Sequence, residues 1–134
     1  MFVGCSSSSS GTNTPTAGVL EASQWRACVP SLAGDYGDTR LSFNSGTFTL
    51  VTDYYASPGC TGTFIGTENS TGTYTLSNPN KIDYTYTGTV NTIYDIYEIS
   101  GNTLKLGDRS GAQNGSSDAN RPTSYNATVI YTKQ

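Results

Sequence analysis

"TRLSFNSGTFTLVTDYY", residues 39–55, decides the fold class. Leu41 and Phe43 share one face of its first half. In its second half Phe48, Leu50, Thr52 and Tyr54 alternate with Thr47, Thr49, Val51 and Asp53. A period of two marks a half-buried strand, because successive side chains point to opposite faces of a sheet. Asn44-Ser45-Gly46 between the halves supplies turn residues, so the stretch reads as two strands joined by a short turn.

The same pattern continues outward. "TGTFIGT" (61–67) and "GTYTLS" (72–77) read as two further short strands with Gly-Thr edges, and "NPN" (78–80) as a turn. "KIDYTYTGTV" (81–90) reads as a long strand with Ile82, Tyr84 and Tyr86 on one side. "TIYDIYEI" (92–99), Ser100-Gly101-Asn102 and "TLKLG" (103–107) form a hairpin, and "SYNATVIYTK" (124–133) closes the chain with Tyr125, Ala127, Val129 and Tyr131 in register. Before the first strand, Val19 to Ala33 could hold a helical turn. The expectation is an all-β domain of about eight antiparallel strands in an up-and-down barrel, with a β-sandwich as the alternative. Closure removes the edge strands that a Thr- and Tyr-rich sheet would otherwise offer for aggregation.

A chain of 134 residues makes one domain the default. Residues 1–18 read as a flexible tether and 19–134 as the barrel. Only 13% of residues are charged and the net charge is −3, so the surface is built from uncharged polar side chains. Seven Lys and Arg form no basic stripe, which argues against nucleic acid. Ten Tyr, four Phe and one Trp argue against disorder. There is no histidine, so Ser-His and Cys-His nucleophile pairs and imidazole metal ligands are excluded. No cofactor is expected.

Three cysteines divide unequally. Cys28 and Cys60 lie inside the patterned region and Cys5 outside it, so the economical pairing is Cys28 with Cys60. Two unpaired buried cysteines are the alternative. Cys5 follows Phe2-Val3-Gly4, which resembles a bacterial lipobox with phenylalanine where leucine is usual. That resemblance implies a lipidated Cys5. Ser6 to Gly18 would then be the polar spacer between the acyl chains and a folded domain. An ordinary N-terminus with an incidental cysteine is the competing reading.

"QWRAC" (24–28), "TRLSFNSGTFTL" (39–50), "YYASPGC" (54–60) and "YEISGNTLKLGD" (97–108) followed by "NRPTS" (120–124) carry a further likeness. Together they resemble small bacterial lipoproteins described as lipocalin-like, over nearly all of residues 20–134. The resemblance implies a calycin-type barrel, a lipid-anchored place in the bacterial envelope, the outer membrane first, and a disulfide between the two domain cysteines. It implies no catalytic activity. Lipocalins carry Gly-x-Trp on the first strand with an arginine stacked on the indole. Here Ser23 and Gln24 precede Trp25, and Arg109 or Arg121 would be the stacking partner.

Few residues advertise chemistry. Residues 107–122, "GDRSGAQNGSSDANRP", form the longest connection. Asp108, Asn114, Asp118 and Asn120 offer hard oxygens for calcium, but their spacing matches no EF-hand loop and the same residues suit tight turns. The stronger expectation is a structural loop packed over one barrel end. Tyr84, Tyr86, Tyr94, Tyr97, Tyr125 and Tyr131 fall on neighbouring strands. Trp25, Tyr84, Tyr86, Tyr97 and Tyr125 are the candidate ligand-binding residues, against the plainer reading that strand aromatics fill a core. Among carboxylates, Asp95 and Glu98 have opposite strand parity, Asp35 and Asp38 read as turn residues, and Asp53 and Asp83 are possible cross-strand neighbours. The sum is a non-enzymatic envelope lipoprotein whose barrel binds a small apolar ligand or an envelope protein at one end. The alternative is a cavity-less interaction or inhibitor module acting through its loops.

Overall fold

The computed structural model describes residues 17–134; Cys5 and the greater part of the expected tether lie outside them. A short helix α1 (Ala17–Glu21) leads into β1 (Gln24–Pro30), β2 (Tyr36–Asn44), β3 (Thr47–Ser57) and β4 (Thr61–Ser77). β5 (Lys81–Tyr86), β6 (Ile93–Ser100), β7 (Thr103–Gly107) and β8 (Tyr125–Lys133) complete an antiparallel sheet in which every strand pairs with the next and β8 returns to β1. The closed eight-stranded up-and-down barrel expected from the sequence is the fold.

Two of the strand expectations require correction, and they offset one another in the count. The first strand is "QWRACVP", taken in the sequence as part of a helical approach. Its alternation is real, with Trp25 and Ala27 buried and Gln24, Arg26 and Cys28 exposed. The small Ala27 and the charged Arg26 mute that signal. Conversely, "TGTFIGT" and "GTYTLS" are one 17-residue strand, β4. Gly66 and Gly72 serve there as extended strand residues instead of turns; neither has the positive φ of Gly46 or Gly101. β5 also stops at Tyr86, leaving Val90 almost fully exposed in the following loop. Asp38 is a strand residue in β2, whereas Asp35 lies in the β1–β2 connection, just after its turn. Asp53 faces Asp38 and Thr67, and Asp83 faces Thr75 and Tyr94, so these two carboxylates are not cross-strand neighbours.

The alternating strand directions give the barrel two different ends. One end collects α1 and the short β2–β3, β4–β5 and β6–β7 turns; we call it the closed end. The other collects the β1–β2, β3–β4, β5–β6 and β7–β8 connections and is the open end. Large side chains point inward near the closed end: Trp25, Phe43, Phe48 and Tyr74, all buried, with the Phe43 and Tyr74 rings edge to face at 5.1 Å. Leu20 of α1 is fully buried beneath Trp25, whose Nε1 donates to the Leu20 carbonyl at 3.0 Å. Glu21 fastens the helix further, accepting from the Tyr74 hydroxyl and, at 3.1 Å, from the Ser45 backbone N–H.

Gly72 shows how tightly this end is packed. It faces Phe48 across the β3–β4 ladder, and a Cβ on it would meet the Phe48 ring at 2.5 Å and overlap the Thr85 carbonyl. At the open end the β3–β4 turn bends back over the outside of the barrel. Cys60, at φ 57, reaches Cys28 on β1 and forms the disulfide with a Cα–Cα distance of 5.9 Å. That bond crosses 32 residues of chain, and a loop of that size gives it roughly 3.5 kcal/mol of stabilisation in the chain-entropy account. The Cys28→Ser, Cys60→Ser double variant is therefore expected to lose about that much unfolding free energy in urea titrations. Gly72→Ala should cost roughly 1–3 kcal/mol in the same assay, since a methyl there overpacks the core; unchanged midpoints would contradict each assignment.

Candidate functional site

On β1, β2 and β3 the largest inward residue stands at the closed end, whereas on β5 the order runs the other way, from Ile82 to Tyr84 and Tyr86. On β2 the order is Phe43, Leu41, Thr39, Gly37; on β1 it is Trp25, Ala27, Val29; on β3 it is Phe48, Leu50, Thr52. On these three strands aromatic side chains occupy the closed half, and the small ones of the open half leave space. That space is a cavity with two lobes sharing Leu50, Leu106, Arg109 and Tyr131. The inner lobe, about 100 Å³, adds Leu41, Phe43, Phe48, Ile82, Tyr84 and Tyr86. The outer lobe, about 260 Å³, adds Val29, Thr39, Asp95, Gly107, Asn126 and Val129. The inner wall is hydrocarbon and aromatic; the polar groups gather towards the open end.

Three rings make one corner of the inner lobe. Phe48 meets Tyr84 at 5.8 Å and Tyr86 at 5.3 Å, and the two tyrosines meet at 5.9 Å, all edge to face. This is the preferred arrangement of aromatic quadrupoles, and it fixes the ring orientations. Burial pushes the Tyr131 hydroxyl up to about 12 and raises Tyr84 and Tyr86 as well. All three therefore stay neutral at physiological pH and act as hydroxyl donors or acceptors.

Asp95 is the buried charge of the site, 1% exposed. Its Oδ1 accepts from the Ile96 N–H at 2.8 Å and the Gly107 N–H at 3.0 Å, and the Tyr84 hydroxyl approaches Oδ2 at 3.5 Å. Gly107 is needed at this point, because a Cβ would overlap the Asp95 carboxylate and press on Pro122 at 2.7 Å. Arg109 lies over the Tyr84 ring at 6.0 Å with its Nε 3.6 Å from Asp95 Oδ2.

The long β7–β8 connection is ordered by Arg121, which is buried and does structural work. Its guanidinium donates to the Asp95 carbonyl (2.5 Å), Asp83 (2.6 Å) and Asp118 (2.9 Å), and lies 5.5 Å from the Tyr94 ring centroid. The Gly115 carbonyl accepts from the Tyr94 N–H at 2.9 Å. The loop is thus bonded along β5 and β6, and it delivers Arg109 to the open end. Arg109 and Arg121 lie over Tyr84 and Tyr94, instead of stacking on Trp25.

Of the candidate ligand-binding residues, the structure brings Tyr84 and Tyr86 together on the cavity wall. Trp25 and Tyr97 are buried in the core and are not part of that wall. The Tyr125 hydroxyl is taken up by Asn80 Nδ2 at 2.7 Å and is likewise away from the cavity. Tyr131, one of the strand tyrosines, joins Tyr84 and Tyr86 on that wall; Phe48, Leu50, Leu106, Arg109 and Asp95 are lining residues that the strand tyrosines do not announce. Strand parity could have found Phe48 and Leu50, whereas nothing local marks Arg109, which sits in a loop. Asp108 and Asn114 accept from the backbone N–H groups of Ser110 and Ser116, and Asp118 pairs with Arg121. These are turn and ion-pair roles. Among the described residues no three Cys, Asp or Glu side chains converge as a metal site.

Burial raises Asp95 above its ordinary 3.8, and this outweighs the opposing pull of the Ile96 N–H and Arg109. The folded protein then keeps a proton that the unfolded chain releases just above 3.8. Asp95's contribution to stability is accordingly best in acid and declines as pH rises through that window. Asp95→Asn retains an oxygen for both N–H donors and removes the titration. Its stability relative to the native protein is expected to rise as the pH goes from 4 to 7 in paired thermal melts; a pH-independent difference would contradict the shift.

A family model described as a lipocalin-like domain matches residues 8–106, about three-quarters of the chain. No curated protein and no solved structure matches it significantly. The matched span ends at Leu106, so Arg109 and β8 lie beyond it. Barrels of this family are generally binding folds, suited to small hydrophobic ligands. A closed eight-stranded barrel, a cavity between its strands and this match agree: the chain belongs to the lipocalin-like domain family.

Proposed function

We propose that this protein is a non-enzymatic carrier that takes a small apolar ligand into its barrel through the open end. The observation that supports it most is the unfilled inner lobe, walled mainly by Leu41, Phe48, Leu50, Ile82 and aromatic rings and reached through the wider outer lobe. Most of its wall is hydrocarbon and aromatic, so an apolar guest gains both desolvation and dispersion contacts there. A cavity-less module acting through its loops would need no such space.

The carrier is tethered in this reading. Cys5, in its lipobox-like setting, carries the acyl chains, and the serine-rich spacer holds the barrel off the bilayer of a bacterial envelope, the outer membrane first. The disulfide fits an oxidising compartment, since cytosolic thiols are kept reduced.

Native mass spectrometry of the protein extracted from its own membrane tests both parts. The expected spectrum shows an acylated Cys5 and a non-covalent small-molecule adduct. In the Leu50→Trp variant, which fills the junction of the two lobes, the adduct should be lost while the acylation remains. An unmodified, unliganded chain would contradict the proposal.

A further inference from the structure

We infer that the ligand is a compact aromatic acid: a single ring in the inner lobe with its anionic group on Arg109. This rests on the carrier reading above and adds the chemistry of the guest.

Size comes first. An apolar cavity of roughly 150 Å³ accommodates benzene, and the inner lobe here is about 100 Å³. A single ring therefore fills the inner lobe and reaches its boundary with the outer lobe, of about 260 Å³, at Leu50, Leu106, Arg109 and Tyr131, where a substituent on the ring meets Arg109. Shape comes next. Phe48, Tyr84 and Tyr86 are already locked edge to face with one another. A ring entering this corner extends the same herringbone, whereas a flexible chain would forfeit those contacts.

Charge decides the class. The chain has four arginines. Arg26 is held by both oxygens of Asp38, Arg40 by Asp53, and Arg121 by Asp83, Asp118 and backbone carbonyls. Arg109 differs: its one charged neighbour, Asp95, is 3.6 Å away, beyond hydrogen-bond reach, and no described residue accepts a hydrogen bond from it. Asp95 meanwhile draws its hydrogen bonds from the backbone N–H groups of Ile96 and Gly107. A half-exposed guanidinium that lines both lobes, paired only with Asp95 at 3.6 Å and with no acceptor for its donors among the described residues, can take a carboxylate. The neutral hydroxyls of Tyr86 and Tyr131 line the same cavity as further donors. Asp95 opposes the anion by proximity, so its removal should strengthen binding.

NMR titration of the folded protein with benzoate, its uncharged near-isostere benzyl alcohol, and palmitate tests this. Benzoate is expected to shift the amides of β3, β5 and β8 and to bind more tightly than benzyl alcohol. Arg109→Gln should weaken benzoate by roughly tenfold or more, the worth of a charge-assisted hydrogen bond, while benzyl alcohol changes by less than about twofold. Asp95→Asn should tighten benzoate. If benzyl alcohol binds but benzoate gains nothing from Arg109, or if palmitate binds in preference to both, the aromatic-acid assignment is overturned and the carrier reading stands. If none of the three enters the barrel, both are overturned.

Discussion

The interior of this protein exists because the sheet closes where β1 meets β8, and that seam is short. Trp25 faces Lys133 and Arg26 faces Thr132, with the Gln134 N–H donating to the Gln24 carbonyl at 2.8 Å as an added tie. So few pairings would hold a flat ribbon poorly. What secures them is Trp25, fully buried on the inner side of the seam, anchored through its indole N–H to Leu20 and floored by α1. Burying such a side chain is worth several kcal/mol, roughly the 3–5 kcal/mol lost on truncating a core aromatic. The tryptophan and the helix beneath it thus act as a plug, and the plug makes one end of the barrel a floor.

Given a floor, the taper of side chains does the rest. Phe43, Phe48, Tyr74 and Trp25 are buried in the closed half, and their successors on β1 to β3 towards the open end are Leu, Thr, Gly, Ala and Val. A barrel of eight strands is only just wide enough for side chains or one small guest. Small residues in its open half therefore translate directly into a cavity. The loop that carries Arg109 to that cavity is held in place by Arg121, whose buried guanidinium binds carboxylates and carbonyls from β5, β6 and the loop itself. One arginine is spent on architecture, and this leaves the other available at the mouth.

Much of the fold was legible in the sequence because its grammar is local. Period-two alternation placed β2, β3 and β5 to β8, and turn residues such as Asn44-Ser45-Gly46 marked the hairpins. Errors arose where a residue type carries two meanings. Gly66 and Gly72 look like strand boundaries, yet Gly72 is there because the Phe48 ring and the Thr85 carbonyl leave no room for a side chain. β1 is hard to read from the sequence because the small Ala27 and the charged Arg26 mute its alternation. The site was less legible for a different reason. Tyr84 and Tyr86 follow from parity, but the contact between Arg109 and Asp95 spans a β6–β7 hairpin and a loop, and only the closed barrel brings them together. Trp25, Tyr97 and Tyr125 show the converse: aromatic residues on strands, yet used for floor, core and outer bracing.

A crystal structure determined under xenon pressure would reveal the largely apolar inner lobe of the barrel. Xenon enters dry apolar cavities and reports them as density. One xenon atom is expected among Leu41, Phe48, Leu50, Tyr84 and Tyr131 with the surrounding side chains unmoved. An interior without xenon, in which those side chains meet one another and leave no space, would contradict an open lobe there.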